Sequence, residues 1–272
     1  MRKKGKIQFL GTGSSAGVPM IGCECEVCRS SFSKNKRQRT SAHIIIDGKD
    51  ILIDASPDFR AQALQYNIRC PTCLLLTHTH FDHVGGLEEL RAYNVHTHKA
   101  IPCYLSKESF ESVKKLFYYH FTPRSEAKNF SAMFDFRVLE ADAGVFDLDG
   151  LNIEYFSYAQ GVMPVTGYRI GGLAYVTDIK QYDTSLFNHL ENLDVLVVSA
   201  AWTGPSRMQM TIEEAITFQQ KVRAKKTYFI HLSHDIEYRK VQASLSDGVT
   251  LAYDGQEIEF PICMCQKDTV KE

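Results

Sequence analysis

The sequence predicts an α/β protein in which two mixed β-sheets pack face to face between outer helices. Three observations carry that prediction. Strand-like apolar runs come in pairs joined by short turns, as at Asp47-Gly48-Lys49-Asp50 and Gly171-Gly172. Helical stretches are interspersed among those pairs, whereas a doubly wound parallel sheet would alternate strand and helix throughout. The 272 residues are 44% hydrophobic and 23% charged, enough for a sizeable core in a single domain spanning 1–272.

In chain order, the strand-like runs fall at 7–10, 43–46, 51–54, 73–76, 101–105, 151–156, 168–170, 174–177, 195–198, 227–230 and 257–260. Helical patterns lie between them at 57–66, 87–93, 107–119, 212–221 and 237–243. Thr211-Ile212-Glu213-Glu214 opens the fourth helix with a hydroxyl at the N-cap and a carboxylate three residues on, the capping-box arrangement. The chain shows no internal repeat, low-complexity tract or Pro/Gly/Ser linker.

A formal net charge of -1 gives no global electrostatic case for nucleic acid or an anionic membrane surface. The basic start, Met1-Arg2-Lys3-Lys4-Gly5-Lys6, precedes only four residues, Ile7-Gln8-Phe9-Leu10, before Gly11. That is too short for a signal-peptide core, and no later apolar run suffices to span a bilayer, so the expectation is a cytoplasmic protein. The eight cysteines are clustered, which in such a chain favours metal ligation or free thiols over a disulfide framework. Cys70 and Cys73 with Cys263 and Cys265 read as thiols rather than as a four-thiolate site, because Cys73 sits where a core strand wants a small apolar residue.

The chemistry concentrates in Thr77-His78-Thr79-His80-Phe81-Asp82-His83-Val84-Gly85-Gly86-Leu87, directly after the apolar run Cys73-Leu74-Leu75-Leu76. A buried strand end throws three imidazoles and a carboxylate onto a short loop, where side chains at alternate positions converge. Neutral imidazole with carboxylate suits zinc, manganese or iron(II).

The His-x-His-x-Asp-His form resembles the signature of the metallo-β-lactamase superfamily, and the surrounding chain is similar to its PhnP-type phosphodiesterases. The matching elements include Gly11-Thr12-Gly13-Ser14-Ser15, Gly22-Cys23-Glu24-Cys25-Glu26-Val27-Cys28, Leu52-Ile53-Asp54-Ala55, Thr177-Asp178, His231-Leu232-Ser233-His234 and Asp254-Gly255-Gln256. They span nearly the whole chain in order. The resemblance implies an αββα sandwich with metals at the sheet edges and a two-metal reaction centre. One metal would be held by His78 and His80, the other by Asp82, His83 and His231, with Asp178 bridging. Asp82 and Asp178 are then residues of the reaction centre itself, and Asp54 hydrogen-bonds near the metal loop without ligating. Cys23, Cys25, Cys28 and His234 resemble the family's separate structural zinc site, a closed set of three thiolates and one imidazole.

Two positions depart from the family pattern. Where relatives carry a ligating His, this chain has Gln160, a weak ligand or none; where relatives carry a His placed to protonate the leaving group, it has Gln209. An amide oxygen is a poorer donor than imidazole, and an amide cannot act as a general acid. The expectation is a metal-dependent hydrolase of a small cyclic or nucleotide-like phosphodiester, using one or two divalent ions (Zn, Mn or Fe). Alternatives are an ester, lactone or thioester hydrolase on the same fold, and a catalytically weakened relative that binds or regulates. Arg39, in the basic run 34–39, is the expected substrate contact. The resemblance also allows a homodimer.

Overall fold

The computed structural model describes residues 3–121 and 131–262. Cys263 and Cys265 lie outside the described residues. Two seven-stranded sheets face one another. The first contains β1 (Lys3–Gly11), β2 (Ser41–Ile46), β3 (Lys49–Ile53), β4 (Cys73–Leu75), β5 (Ile101–Ser106), β6 (Phe134–Leu139) and β14 (Glu257–Ile262). The second contains β7 (Ala143–Leu148), β8 (Leu151–Gln160), β9 (Met163–Ile170), β10 (Leu173–Val176), β11 (Val195–Ser199), β12 (Lys226–Ile230) and β13 (Val249–Leu251). Their orders are β14-β1-β2-β3-β4-β5-β6 and β13-β12-β11-β10-β9-β8-β7.

Each sheet is half antiparallel and half parallel. In the first, the pairings from β14 to β3 are antiparallel and those from β3 to β6 parallel. In the second, β13 to β10 are parallel and β10 to β7 antiparallel. The mixed sandwich expected from the sequence is the fold observed.

Strand period sets the layers. Ile7 and Phe9, Ile44 and Ile46, Ile51 and Ile53, and Cys73 and Leu75 point inward against Ile153, Tyr168, Tyr175, Val197 and Tyr228 of the opposite sheet. Full burial of one such isoleucine is worth about 1.5–3 kcal/mol. The intervening residues Leu52, Leu74, Cys103 and Leu105 face outward, beneath α1 (Phe59–Gln65) and the helix pair α2 (Arg91–Thr97) and α3 (Lys107–Leu116). On the other face Ala174, Val176, Leu196, Val198 and Phe229 are covered by Ile212, Ala215, Phe218 and Val222 of α4 (Ile212–Val222).

Three strands escaped the sequence reading. The β6 and β7 segments alternate (Phe134-Asp135-Phe136-Arg137 in β6), but they edge the sheets and are only half-buried, with exposed residues set between their apolar ones. The three-residue β13 is too short to show a period. The helix expected over 107–119 stops at Leu116 and gives way to a 3₁₀ turn at Tyr118–Phe121, and the one expected from 87 begins as a 3₁₀ turn at Leu87–Leu90. Among the described residues, no helix is long and apolar enough to cross a membrane.

Candidate metal centres

The functional cluster gathers at one edge of the sandwich, beyond the carboxyl ends of parallel strands from both sheets, where crevices form in such folds. The first sheet brings Asp54 just past β3 and the His78–His83 loop just past β4. The second brings Gln160 at the end of β8, Asp178 past β10 and His231 past β12. Three of these strand-end residues turn with a left-handed backbone: Asp54 (φ 60), Asp178 (φ 55) and His231 (φ 61). Asp and His tolerate that region better than branched residues, at a cost of about 1–3 kcal/mol each. The strain is held by cross-sheet ties from the Thr166 amide to the Thr77 carbonyl (2.8 Å) and the Tyr168 hydroxyl to the Leu76 carbonyl (2.8 Å), and by a bond within the second sheet from the Tyr158 hydroxyl to the Thr177 carbonyl (2.7 Å).

The histidine loop closes as one helical turn, Phe81–Val84, which carries Asp82 and His83 inward. It docks on the segment after β3 through the Ala55 amide to the His83 carbonyl (2.9 Å) and the Gly86 amide to the Ala55 carbonyl (2.8 Å). Glycine is required at 86, because a Cβ there would stand 2.1 Å from the Ser56 carbonyl oxygen.

Asp54 organises the interior of the cluster. Its Oδ2 accepts from His83 Nδ1 at 2.6 Å and from the Thr77 hydroxyl at 2.8 Å, and its Oδ1 accepts from the Thr77 amide at 2.8 Å. With Nδ1–H committed to Asp54, His83 presents the bare lone pair of Nε2, which makes no hydrogen bond to the described residues. That lone pair faces Asp178 Oδ2 at 3.2 Å and Asp82 Oδ2 at 3.4 Å. His231 Nε2 stands 3.3 Å from Asp82 Oδ2 and 3.4 Å from Asp178 Oδ1.

A lone pair set against two carboxylates in a buried pocket calls for a positive charge, either a proton taken up by the imidazole or a metal ion. Burial alone would push the His83 pKa down, but Asp178, Asp54 and Asp82 drive it well above its usual value. Burial likewise pushes Asp82 and Asp178 up, and the facing imidazoles more than offset it, holding both carboxyls well below the usual range. The spacing is also that of a coordination shell. A tetrahedron with bonds of about 2.0–2.1 Å has edges of about 3.3–3.4 Å, and the donor separations here are 3.2–3.4 Å. Asp82, His83 and His231 therefore have the spacing to share a divalent ion, and Asp178 faces two of them, with Oδ2 toward His83 and Oδ1 toward His231.

The neighbouring side differs. His78 Nε2 lies 3.0 Å from His80 Nδ1, and His78 Nδ1 lies 3.0 Å from the Thr77 hydroxyl. The imidazole and carboxylate atoms close enough to share an ion form the sets Asp82–His83–His231 and His78–His83–Asp178, and His80 is in neither. Gln160 and Gln209 both approach the carboxylate expected to bridge. Their Nε2 atoms donate to Asp178 Oδ1, at 3.0 Å and 2.5 Å, while Oδ2 accepts from the Thr177 hydroxyl at 2.6 Å. Gln209 was readable only as a lost acid; its bond to Asp178 depends on a fold contact thirty-one positions away in the chain.

A second cluster joins Cys23, Cys25, Cys28 and His234. His234 Nδ1 stands 3.4 Å from Cys23 Sγ and 3.5 Å from Cys25 Sγ, near the edge of about 3.6 Å for a tetrahedron mixing bonds of about 2.3 Å to sulfur and 2.0–2.1 Å to nitrogen. Cys25 caps the short helix Glu26–Arg29, taking the Cys28 amide at 3.4 Å; that bond and the bond from His234 lower its thiol to about 6. The Met20 amide reaches Cys28 Sγ at 3.3 Å. Buried Arg37 binds the Ser233 and Ile236 carbonyls at 2.9 and 2.8 Å, pinning the cysteine loop beside the His231–His234 segment. Arg39 is engaged elsewhere: it bonds Asp58 Oδ1 at 2.9 Å and the Ser15 carbonyl at 3.0 Å.

Comparison with known proteins places this architecture. The β-lactamase superfamily domain model matches residues 49–232. A solved structure described as a new diphosphatase from the PhnP family superposes with a TM-score of 0.87 at 33% identity, covering 96% of this chain and 99% of that one. Zinc-bound PqqB from Methylobacterium extorquens shares the fold, with a TM-score of 0.74 at 20% identity over 93% of this chain and 99% of its own. An octanoyltransferase of Porphyromonas gingivalis is 35% identical over 252 residues, which are 92% of this chain but 50% of that protein. Coenzyme PQQ synthesis protein B of Rhodopseudomonas palustris is 29% identical over 124 residues, 40% of each. The chain thus spans half or less of these curated relatives. With well over half of its length inside the domain model, and the likeness to the diphosphatase running along nearly all of both chains, it belongs to the β-lactamase superfamily and, within it, to the PhnP family.

Proposed function

We propose that this chain is a metal-dependent hydrolase of phosphate esters, with a small phosphodiester as the favoured substrate class. The observation that carries it is the buried cage of His83, His231, Asp82 and Asp178, spaced like a coordination shell and short of positive charge. An ion held there supplies Lewis acidity and a water acidified into the neutral range. The chain's own part is orientation. Asp54 fixes the His83 tautomer, Thr77 ties Asp54 to the loop, and Thr177 holds Asp178 in place. The family membership and the diphosphatase name of its relative support phosphorus as the reacting atom. Cys23, Cys25, Cys28 and His234 are proposed to hold a structural zinc.

An acyl ester is the second reading, favoured by 35% identity to half of a protein named octanoyltransferase. The test is hydrolysis by the full chain, loaded in turn with zinc, manganese, iron and cobalt, of bis(p-nitrophenyl) phosphate and of p-nitrophenyl octanoate. Faster turnover of the diester is the expected result. Preference for the octanoate ester would move the reaction to acyl chemistry. Failure on both with every metal would favour a binding or regulatory role.

A further inference from the structure

We propose that the imidazole–carboxylate centre takes a single ion, in the cage of Asp82, His83, His231 and Asp178, because Gln160 and Gln209 close the position beside His78 and His80. This deepens the hydrolase reading and rests on it only for the presence of an ion in the cage.

Three observations converge. The first is spacing. His78 Nε2 and His80 Nδ1 sit 3.0 Å apart, at hydrogen-bond length, whereas His83 Nε2 stands 3.2–3.4 Å from the cage carboxylates and makes no hydrogen bond to the described residues.

The second is the supply of lone pairs. Thr77 gives its hydroxyl hydrogen to Asp54, so its oxygen accepts from His78 Nδ1–H. That leaves His78 one lone pair, on Nε2, and His80 Nδ1–H takes it. The donors run from His80 through His78 and Thr77 to Asp54, and the pair meant to hold an ion is satisfied without one.

The third is Asp178. In a bridged pair each of its oxygens would face a cation; here Oδ1, 3.4 Å from His231 Nε2, receives two amide N–H groups, and Oδ2 takes the Thr177 hydroxyl, so the lone pair left over is the one that faces His83 of the cage at 3.2 Å. Turning either amide over would set a carbonyl oxygen against a carboxylate oxygen, and even then a carboxamide oxygen is a poor ligand for a zinc-like ion.

The amides are also fixed in place. Gln160 and Gln209 are 3% and 8% exposed. Beside Gln160, the Ala159 and Gln181 amides exchange bonds with each other's carbonyls at 2.9 Å, and the Gly161 amide binds Gln181 Oε1 at 2.7 Å. Beside Gln209, the Ala201 amide binds the Met210 carbonyl at 2.8 Å, and the capping box of Thr211 and Glu214 anchors the helix that follows. Lys180 reaches Glu214 at 2.7 Å, joining the segment after Asp178 to that helix.

The experiment counts ions without substrate, so failure of the hydrolase reading and failure of this proposal appear in different measurements. The chelator-stripped full chain is titrated with manganese alone and followed by elemental analysis and electron paramagnetic resonance. The expected spectrum is that of an isolated ion, one per centre. His80→Ala should keep that count, and the pair Gln160→His with Gln209→His should add one ion and the exchange-coupled spectrum of two neighbours. A coupled pair in the unaltered chain would overturn the proposal, as would loss of an ion in His80→Ala or no gain in a folded double variant. No ion in the cage at all would overturn it together with the reading beneath it.

Discussion

The two sides of Asp178 draw on the same sheet edge and reach opposite outcomes. Toward His83 and His231, imidazole nitrogens and carboxylates face one another at coordination spacing, and the carboxylates draw a positive charge, a proton or a metal ion, onto the imidazoles. Toward His78 and His80, the two imidazoles bond each other and two carboxamides donate to the carboxylate, with Gln160 Oε1 left without a partner among the described residues. Residue type alone does not make a metal position; what matters is whether the surrounding hydrogen bonds leave the lone pairs free. A buried polar group with its partners satisfied is stable as it stands, whereas one left facing like charge calls for an ion.

The largest effect should come from breaking the incomplete side. His83→Ala and Asp178→Ala should each bring diester hydrolysis to background in steady-state assays, while His80→Ala keeps a measurable rate. Equal collapse in all three would erase the contrast between the two sides.

Next in size is the Cys23–Cys25–Cys28–His234 cluster, whose ion is read as structural. Cys25→Ser should cost several kcal/mol in thermal or denaturant unfolding, since metal affinity is folding energy in closed thiolate sites. Mild chelation of the unaltered chain should empty the cage first and leave zinc on the thiolates. Simultaneous loss would mean that the two centres do not differ in kind.

Asp54→Asn sharpens the comparison from beneath. Replacing the carboxylate that sets the His83 tautomer should weaken metal binding in the cage about 10–100-fold, as read by calorimetric titration. Unchanged affinity would show that His83 is oriented by other contacts. Smallest of all, Glu214→Ala removes one half of the capping box and should cost about 0.5–2 kcal/mol in urea unfolding. A loss far beyond that would give Glu214 a role in placing Gln209 that the helix cap does not account for.

Much of this was legible in the chain before its fold. The alternation of Ile44 and Ile46 or Ile51 and Ile53 marks strands directly, and the His78–His83 run announces a metal-binding loop because so many donors fall within six positions. The thiolate cluster was legible for the same reason in Cys23–Cys28. Asp178 and His231, by contrast, are single residues, and only resemblance marked them. Their left-handed backbones arise where a parallel strand ends against the opposite sheet, which no local pattern encodes. The same holds for Gln160 and Gln209: the sequence shows a missing imidazole, but the two hydrogen bonds onto Asp178 Oδ1 exist only once β8, β10 and the loop before α4 meet. Nor does the basic run reveal that the Arg39 guanidinium pairs with Asp58.

The most direct test of the uneven centre is anomalous diffraction from crystals of the zinc-loaded full chain. The account predicts one strong peak shared by His83 Nε2, His231 Nε2, Asp82 and Asp178, a second among the three thiolates and His234, and none between His78 and His80. A peak bonded to His78 Nε2 and His80 Nδ1, with Gln160 and Gln209 turned away from Asp178, would contradict it.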